Sequence, residues 1–189
     1  MFRKILLCVA LLAGFGSANA ALISVDARAN STSGSGSGFN TGINLTIGDY
    51  FTASAALDDL WNAGPLPRWS NADGLVADLF ATGSDDSGQA AGVQIGRNFG
   101  LHNQHGLSLP FGTLVGSLDG NFFAMGTNFA GNAIASGELL LWYWDSNNGD
   151  NTESIHVTIR TDGSVPEPSV IVLFGLGLLG IGLARRRRT

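Results

Sequence analysis

Between Ser154 and Arg160 the chain alternates with a period of two. Ile155, Val157 and Ile159 fall on one side, and Ser154, His156, Thr158 and Arg160 on the other. Successive side chains of a strand point to opposite faces, so this segment is predicted to be a strand with one face in a core. Glu138 to Trp144 is a dense apolar and aromatic run that suits the centre of a sheet. Ile43, Leu45 and Ile47 alternate with Asn44 and Thr46, and Gly48-Asp49 is a turn signal ahead of Tyr50 to Ala55. Leu22 to Arg28 reads as a first strand. Thr113 to Leu118, the turn Asp119-Gly120-Asn121, Phe122 to Met125 and Thr127 to Phe129 read as a meander containing a hairpin. No segment sustains a helical period. Many short strands with glycine-rich turns predict an all-β protein, a β-sandwich.

Two stretches carry little strand signal. Asn30 to Gly38 is a Gly/Ser-rich run and reads as a flexible loop inside the domain. Asp58 to Pro110 is rich in Gly, Asn, Asp and Ser and reads as long loops around one or two strands.

Both ends have a different character. Arg3 and Lys4, an apolar run from Ile5 to Phe15, and Ser17-Ala18-Asn19-Ala20 form the three parts of a signal peptide, an apolar helix with cleavage expected after Ala20. At the other end stand Val165-Pro166-Glu167-Pro168, an apolar stretch from Val170 to Ala184, and Arg185, Arg186, Arg187 and Arg188. The prolines keep their segment extended. The apolar stretch, a predicted transmembrane helix, is shorter than the roughly 20 residues of a stable span, and its glycines weaken it further. The arginines act as a cytoplasmic stop. This combination resembles the PEP-CTERM sorting segment of Gram-negative bacteria. The resemblance implies recognition by an exosortase at the inner membrane, removal of the tail and delivery to the cell surface or to extracellular matrix. Signal peptidase is the expected partner at the other end. The organisation is therefore 1–20 signal peptide, 21–164 β-sandwich domain and 165–189 sorting segment.

Without its two ends the chain keeps Arg28, Arg68, Arg97 and Arg160 and no lysine, against fourteen acidic residues, a net charge near −10. Such a domain offers no electrostatic footprint to nucleic acid or an anionic membrane, and cation binding is the natural alternative. The one cysteine, Cys8, lies in the signal region, so no disulfide supports the domain.

The densest group of hard oxygen donors is Asp145-Ser146-Asn147-Asn148-Gly149-Asp150-Asn151, between the last two strands. Calcium takes roughly six to eight oxygens from carboxylates, amides and carbonyls. Composition alone favours a solvated Asn/Asp/Gly turn, and the metal-binding reading stands beside it. His102 and His105 have the spacing of a weak transition-metal pair with no third ligand nearby. There is no nucleophile elbow and no α/β pattern, so no enzymatic activity is expected.

The motif order along the domain carries a second resemblance. It runs through Asn40-Thr41-Gly42-Ile43, Gly48-Asp49, a Trp61 to Gly64 corner, Ala72-Asp73-Gly74, Leu109-Pro110, Gly112 to Gly116, Gly137-Glu138-Leu139 and Asp145 to Asn151. It resembles the family of small calcium-dependent lectins typified by the galactose-specific PA-IL. The resemblance implies a sandwich of jelly-roll, galactose-binding-like architecture, in which Ca2+ is held by loop oxygens and sugar hydroxyls complete its shell. Carried over, Asp145, Asp150 and Asn151 would hold the ion, with Asn147 or Asn148 replacing a missing threonine and Ala63 donating a carbonyl. Asp73, Ser70 and the Trp61 corner would contact sugar. The expectation is an exported lectin-like protein bound to a glycan or exopolysaccharide. A structural matrix protein that binds no sugar is the alternative.

Overall fold

The computed structural model describes residues 19–34 and 36–161. The signal helix and the sorting-segment helix predicted above lie outside these residues. Among the described residues no helix is long and apolar enough to cross a membrane.

The described chain is all β. Its strands are β1 (Asn19–Asp26), β2 (Phe39–Leu45), β3 (Tyr50–Ala55), β4 (Trp61–Asn62), β5 (Trp69–Ser70), β6 (Leu79–Phe80) and β7 (Gln94–Gly96). They continue with β8 (Leu101–Gln104), β9 (Leu107–Pro110), β10 (Leu114–Leu118), β11 (Asn121–Ala124), β12 (Asn128–Asn132), β13 (Gly137–Tyr143) and β14 (Ser154–Thr161). Two four-stranded antiparallel sheets, ordered β1-β14-β3-β12 and β11-β10-β13-β2, form the sandwich. Between them lies a core in which Ile155, Val157 and Ile159 of β14 join Ile23 and Val25 of β1 and Phe51 and Ala53 of β3. Leu114, Leu118, Leu139, Leu141 and Tyr143 of the other sheet complete it. Each large aliphatic side chain removed from water there contributes on the order of 1.5–3 kcal/mol. The alternation in β14 and the run in β13 thus mark two central strands, one in each sheet.

Three sequence expectations change. The Asn30 to Gly38 stretch is not a free loop among its described residues. Ser31 is 0 % exposed and bridges Tyr143. Thr32 N–H donates to the Tyr143 carbonyl at 2.9 Å, Tyr143 N–H to the Asn30 carbonyl at 2.8 Å, and the Ser31 and Ser33 hydroxyls pair at 2.8 Å. Its polar groups can be buried because the last residue of β13 pairs with its backbone and its two serine hydroxyls satisfy each other. The middle region holds more strand than expected, in three two-stranded ribbons, β4-β5, β6-β7 and β8-β9. Leu60, Trp69, Ala81 and Ile95 close a small second core there. The meander after Gly112 is also interrupted. β10 and β11 form the hairpin, with Asp119 and Gly120 at φ 47° and 76°, both positive as a type I′ turn demands. β12, however, crosses to the other sheet and pairs with β3.

Candidate functional site

The loop between β13 and β14 turns its acids toward the β4-β5 corner. Thr152 and Asn62 exchange backbone hydrogen bonds at 3.0 and 3.2 Å, which draws the end of the acidic loop against Ala63. A cleft of about 190 Å³ opens at this junction, lined by Ala63, Arg68, Leu75, Phe99, Phe111, Asp145, Ser146, Asn147 and Asp150. Four segments far apart in sequence meet there.

Asp145 is 5 % exposed. Its Oδ1 accepts from the Ser146 amide at 2.7 Å, while its Oδ2 is buried with no hydrogen-bond partner. Asn151 is buried too; its amide donates to the Ala27 carbonyl at 3.0 Å, and its Oδ1 is likewise without a partner. Burial lifts the Asp145 carboxyl above its ordinary range, opposed by the Asn151 amide and the Ser146 and Asn147 backbone amides, and reinforced by the charge of Asp150. Asp150 accepts from the Asn147 amide at 3.1 Å and faces Arg68 at 3.7 Å. Gly64 is needed beside it: a side chain there would collide with Asp150 Oδ2, and the residue stands at φ 122°. Beneath the loop the Tyr143 hydroxyl is buried without a partner. Burial pushes its pKa far up, the charges of Asp145 and Asp150 add to the rise, and Arg68 opposes it.

Buried acceptors without a partner are expensive, at roughly 1–3 kcal/mol each and more when charged. Two such oxygens, a second carboxylate and the nearby Ala63 carbonyl are the hard donors that calcium takes. The residues present fit a hard cation. Among the described residues no three His, Cys, Asp or Glu side chains form a group that could hold a metal ion, so an ion bound here would draw on amide and backbone oxygens beside the two carboxylates.

The expected site residues divide. The structure brings Asp145, Asn147, Asp150 and Ala63 to the cleft, whereas Asn151 is buried and is not among the residues that line it. Asn148 turns away: its amide donates to the Arg28 carbonyl at 3.0 Å and ties the loop to the segment after β1. Trp61 is 0 % exposed, with its indole N–H donating to the carbonyls of Asn71 and Gly112, so it presents no face to a sugar. Asp73 is spent on the β11-β12 crossing, where its carboxylate accepts from the Thr127 amide at 2.7 Å and hydroxyl at 3.0 Å. Ser70 is buried, its hydroxyl facing Gly112 rather than the cleft. His102 and His105 stack separately on Phe111 and Phe122 and form no metal pair. Arg68, Leu75, Phe99 and Phe111 line the cleft without having been expected there. The scarcity of arginine in the domain was the one signal that could have drawn attention to Arg68.

Fold and cleft together define an all-β two-sheet protein with an acidic, partly aromatic pocket at a loop junction. Residues 164–188 match the PEP-CTERM protein-sorting motif, which marks an exported protein whose tail is sorted by an exosortase. Among solved structures the chain is similar to the EclA N-terminal domain, a PllA-like lectin. The identity is 20 % over 74 % of this chain and 94 % of that one, with a TM-score of 0.46. No curated protein matches the chain.

Proposed function

We propose that this chain is an exported, non-catalytic protein that binds calcium in the loop after β13 and, through it, a carbohydrate at the cell surface or in extracellular polysaccharide. The observation that carries the reading is the pair of buried, unpartnered oxygens, Asp145 Oδ2 and Asn151 Oδ1, beside a second carboxylate on Asp150. In this reading Asp145, Asp150 and Asn151 hold the ion with the Ala63 carbonyl, and Asn147 supports Asp150. The motif order of the domain supports the same assignment. Bound calcium would supply a Lewis-acidic centre to which vicinal hydroxyls can bind. The protein's own residues shape the rest: the half-buried Phe111 offers apolar surface for a ring, and Arg68 beside Phe99 a charged rim.

Differential scanning calorimetry of the purified protein in calcium and in chelator tests the reading. Stabilisation follows RT ln(1 + [L]/Kd), so calcium at about a hundred times Kd should add roughly 2.7 kcal/mol. An unchanged transition would remove the proposal.

One observation favours a second reading, a structural matrix protein that binds no sugar: of the residues expected to meet a sugar, Trp61 and Asp73 are engaged elsewhere and Ser70 is buried, its hydroxyl without a partner. A retained calcium shift with silence on a glycan array would support it.

A further inference from the structure

Arginine is scarce in this domain, with only four such side chains against fourteen acids in residues 21–164, yet two of the four meet on one ring. The Arg68 guanidinium lies 5.2 Å from the centroid of Phe99, and that of Arg97 lies 4.9 Å from it. Phe99 and Arg68 line the cleft, and Arg97 is exposed beside them. Arg97 pairs with no carboxylate among the described residues. Arg68 has a single loose partner, Asp150, at 3.7 Å. Stacking on an aromatic face is worth only about 0.5–1 kcal/mol at an exposed site, and two guanidiniums on one ring repel each other. In so acidic a domain the arrangement leaves the Arg97 charge unanswered beside the cleft. The cleft thus carries oxygen donors on the acidic loop, Arg68 directly against them, and Arg97 on the same Phe99 ring as Arg68.

We infer that the ligand of this cleft is a carboxylated saccharide, a uronate residue whose carboxylate is received by Arg68 and Arg97 beside Phe99 while its ring packs on Phe111. The inference rests on the calcium-and-sugar reading for the rest of the same ligand. A planar guanidinium matches a carboxylate through two parallel hydrogen bonds, which a neutral hexose cannot supply. At about 190 Å³ the cleft is smaller than the roughly 300–1,000 Å³ of pockets for larger ligands, which suits one sugar ring of a longer chain.

Isothermal titration of the full chain with an oligogalacturonate, and with the same oligosaccharide after carboxyl reduction, provides the test in calcium and in chelator. The acidic form is expected to bind at least tenfold tighter, with the preference shrinking as salt rises. Arg97→Gln should cut the preference to threefold or less while the calcium-induced thermal shift persists, and Arg97→Lys should keep part of it. Equal affinity for the two forms, or no binding of either, overturns the inference; a calcium shift retained in that protein leaves calcium binding standing. Acid-selective binding that is equally strong in chelator sustains the arginine assignment and removes calcium from the ligand's shell. Absence of both acid-selective binding and the calcium shift defeats both.

Discussion

Arg68 Nη1 stands 3.5 Å from the Ala63 carbonyl and 3.7 Å from Asp150 Oδ2, so one of the protein's own cations touches two of the oxygens proposed for calcium. A guanidinium and a divalent ion at the same oxygens compete. The ion pair itself stabilises little, since both side chains are about 40 % exposed and screened by solvent.

Removing that competitor should favour the metal. Arg68→Met, which keeps the apolar stem and deletes the charge, is expected to tighten calcium about fivefold, equivalent to roughly 1 kcal/mol of relieved repulsion in a partly solvated site. Calcium titration calorimetry of the variant at fixed ionic strength measures it. Unchanged or weaker affinity would place the ion away from Arg68.

Asp145 gives the opposite signs with and without metal. Its carboxyl is raised by burial, so over the window between the ordinary carboxylate range and its raised value the folded state binds more protons than the unfolded one. In chelator, stability from this group is greatest at low pH and declines as pH rises through that window. Calcium favours the ionised form, so calcium affinity should instead fall on acidification. Asp145→Asn removes the buried charge. In chelator at neutral pH it should raise stability by about 1 kcal/mol, or a few degrees in Tm, and it should abolish the calcium shift. A variant less stable than the parent in chelator would show that the carboxylate is already satisfied.

The strands were legible where burial is one-sided. Ile155, Val157 and Ile159 could be read because β14 shows one face to a continuous core, and Leu139, Leu141 and Tyr143 because β13 lies inside its sheet. Ser31 and Ser33 misled because polarity predicts exposure only when no partner is at hand, and their hydroxyls partner each other while Tyr143 of β13 pairs with the backbone of Asn30 and Thr32 beside them. The acidic loop was visible as a local cluster of oxygen donors. The rest of the cleft was not, since Arg68, Leu75, Phe99 and Phe111 are assembled by long-range packing and share no local pattern. Trp61 illustrates the converse. An aromatic residue near a candidate site suggests stacking, but its indole N–H found acceptors on Asn71 and Gly112 in the interior.

Away from the cleft, Asp85 reports on the β6-β7 region. The Ser87 hydroxyl, followed by the Thr82 amide, draws its carboxyl down from 3.8 to about 2. A depressed carboxylate stabilises the fold above its unfolded pKa, and that contribution is lost as pH falls through the folded value. Ser87→Ala should therefore move the Asp85 titration upward, toward the ordinary range, as followed by the NMR shift of its carboxyl carbon. An unmoved midpoint would mean that the Ser87 hydroxyl does not hold the charge in solution.

Gly64 couples backbone geometry to the proposed metal site. At φ 122° it occupies a conformation that a side chain disfavours, and an added methyl would meet Asp150 Oδ2 with Arg68 Nη1 3.2 Å away. Gly64→Ala is expected to cost about 1–3 kcal/mol through backbone strain and to weaken calcium by displacing Asp150. The two effects can be separated: if strain alone operates, Tm falls equally in calcium and in chelator, whereas displacement of Asp150 makes the loss larger in calcium. Scanning calorimetry of the variant under both conditions distinguishes them, and an equal loss would argue against Asp150 as a ligand.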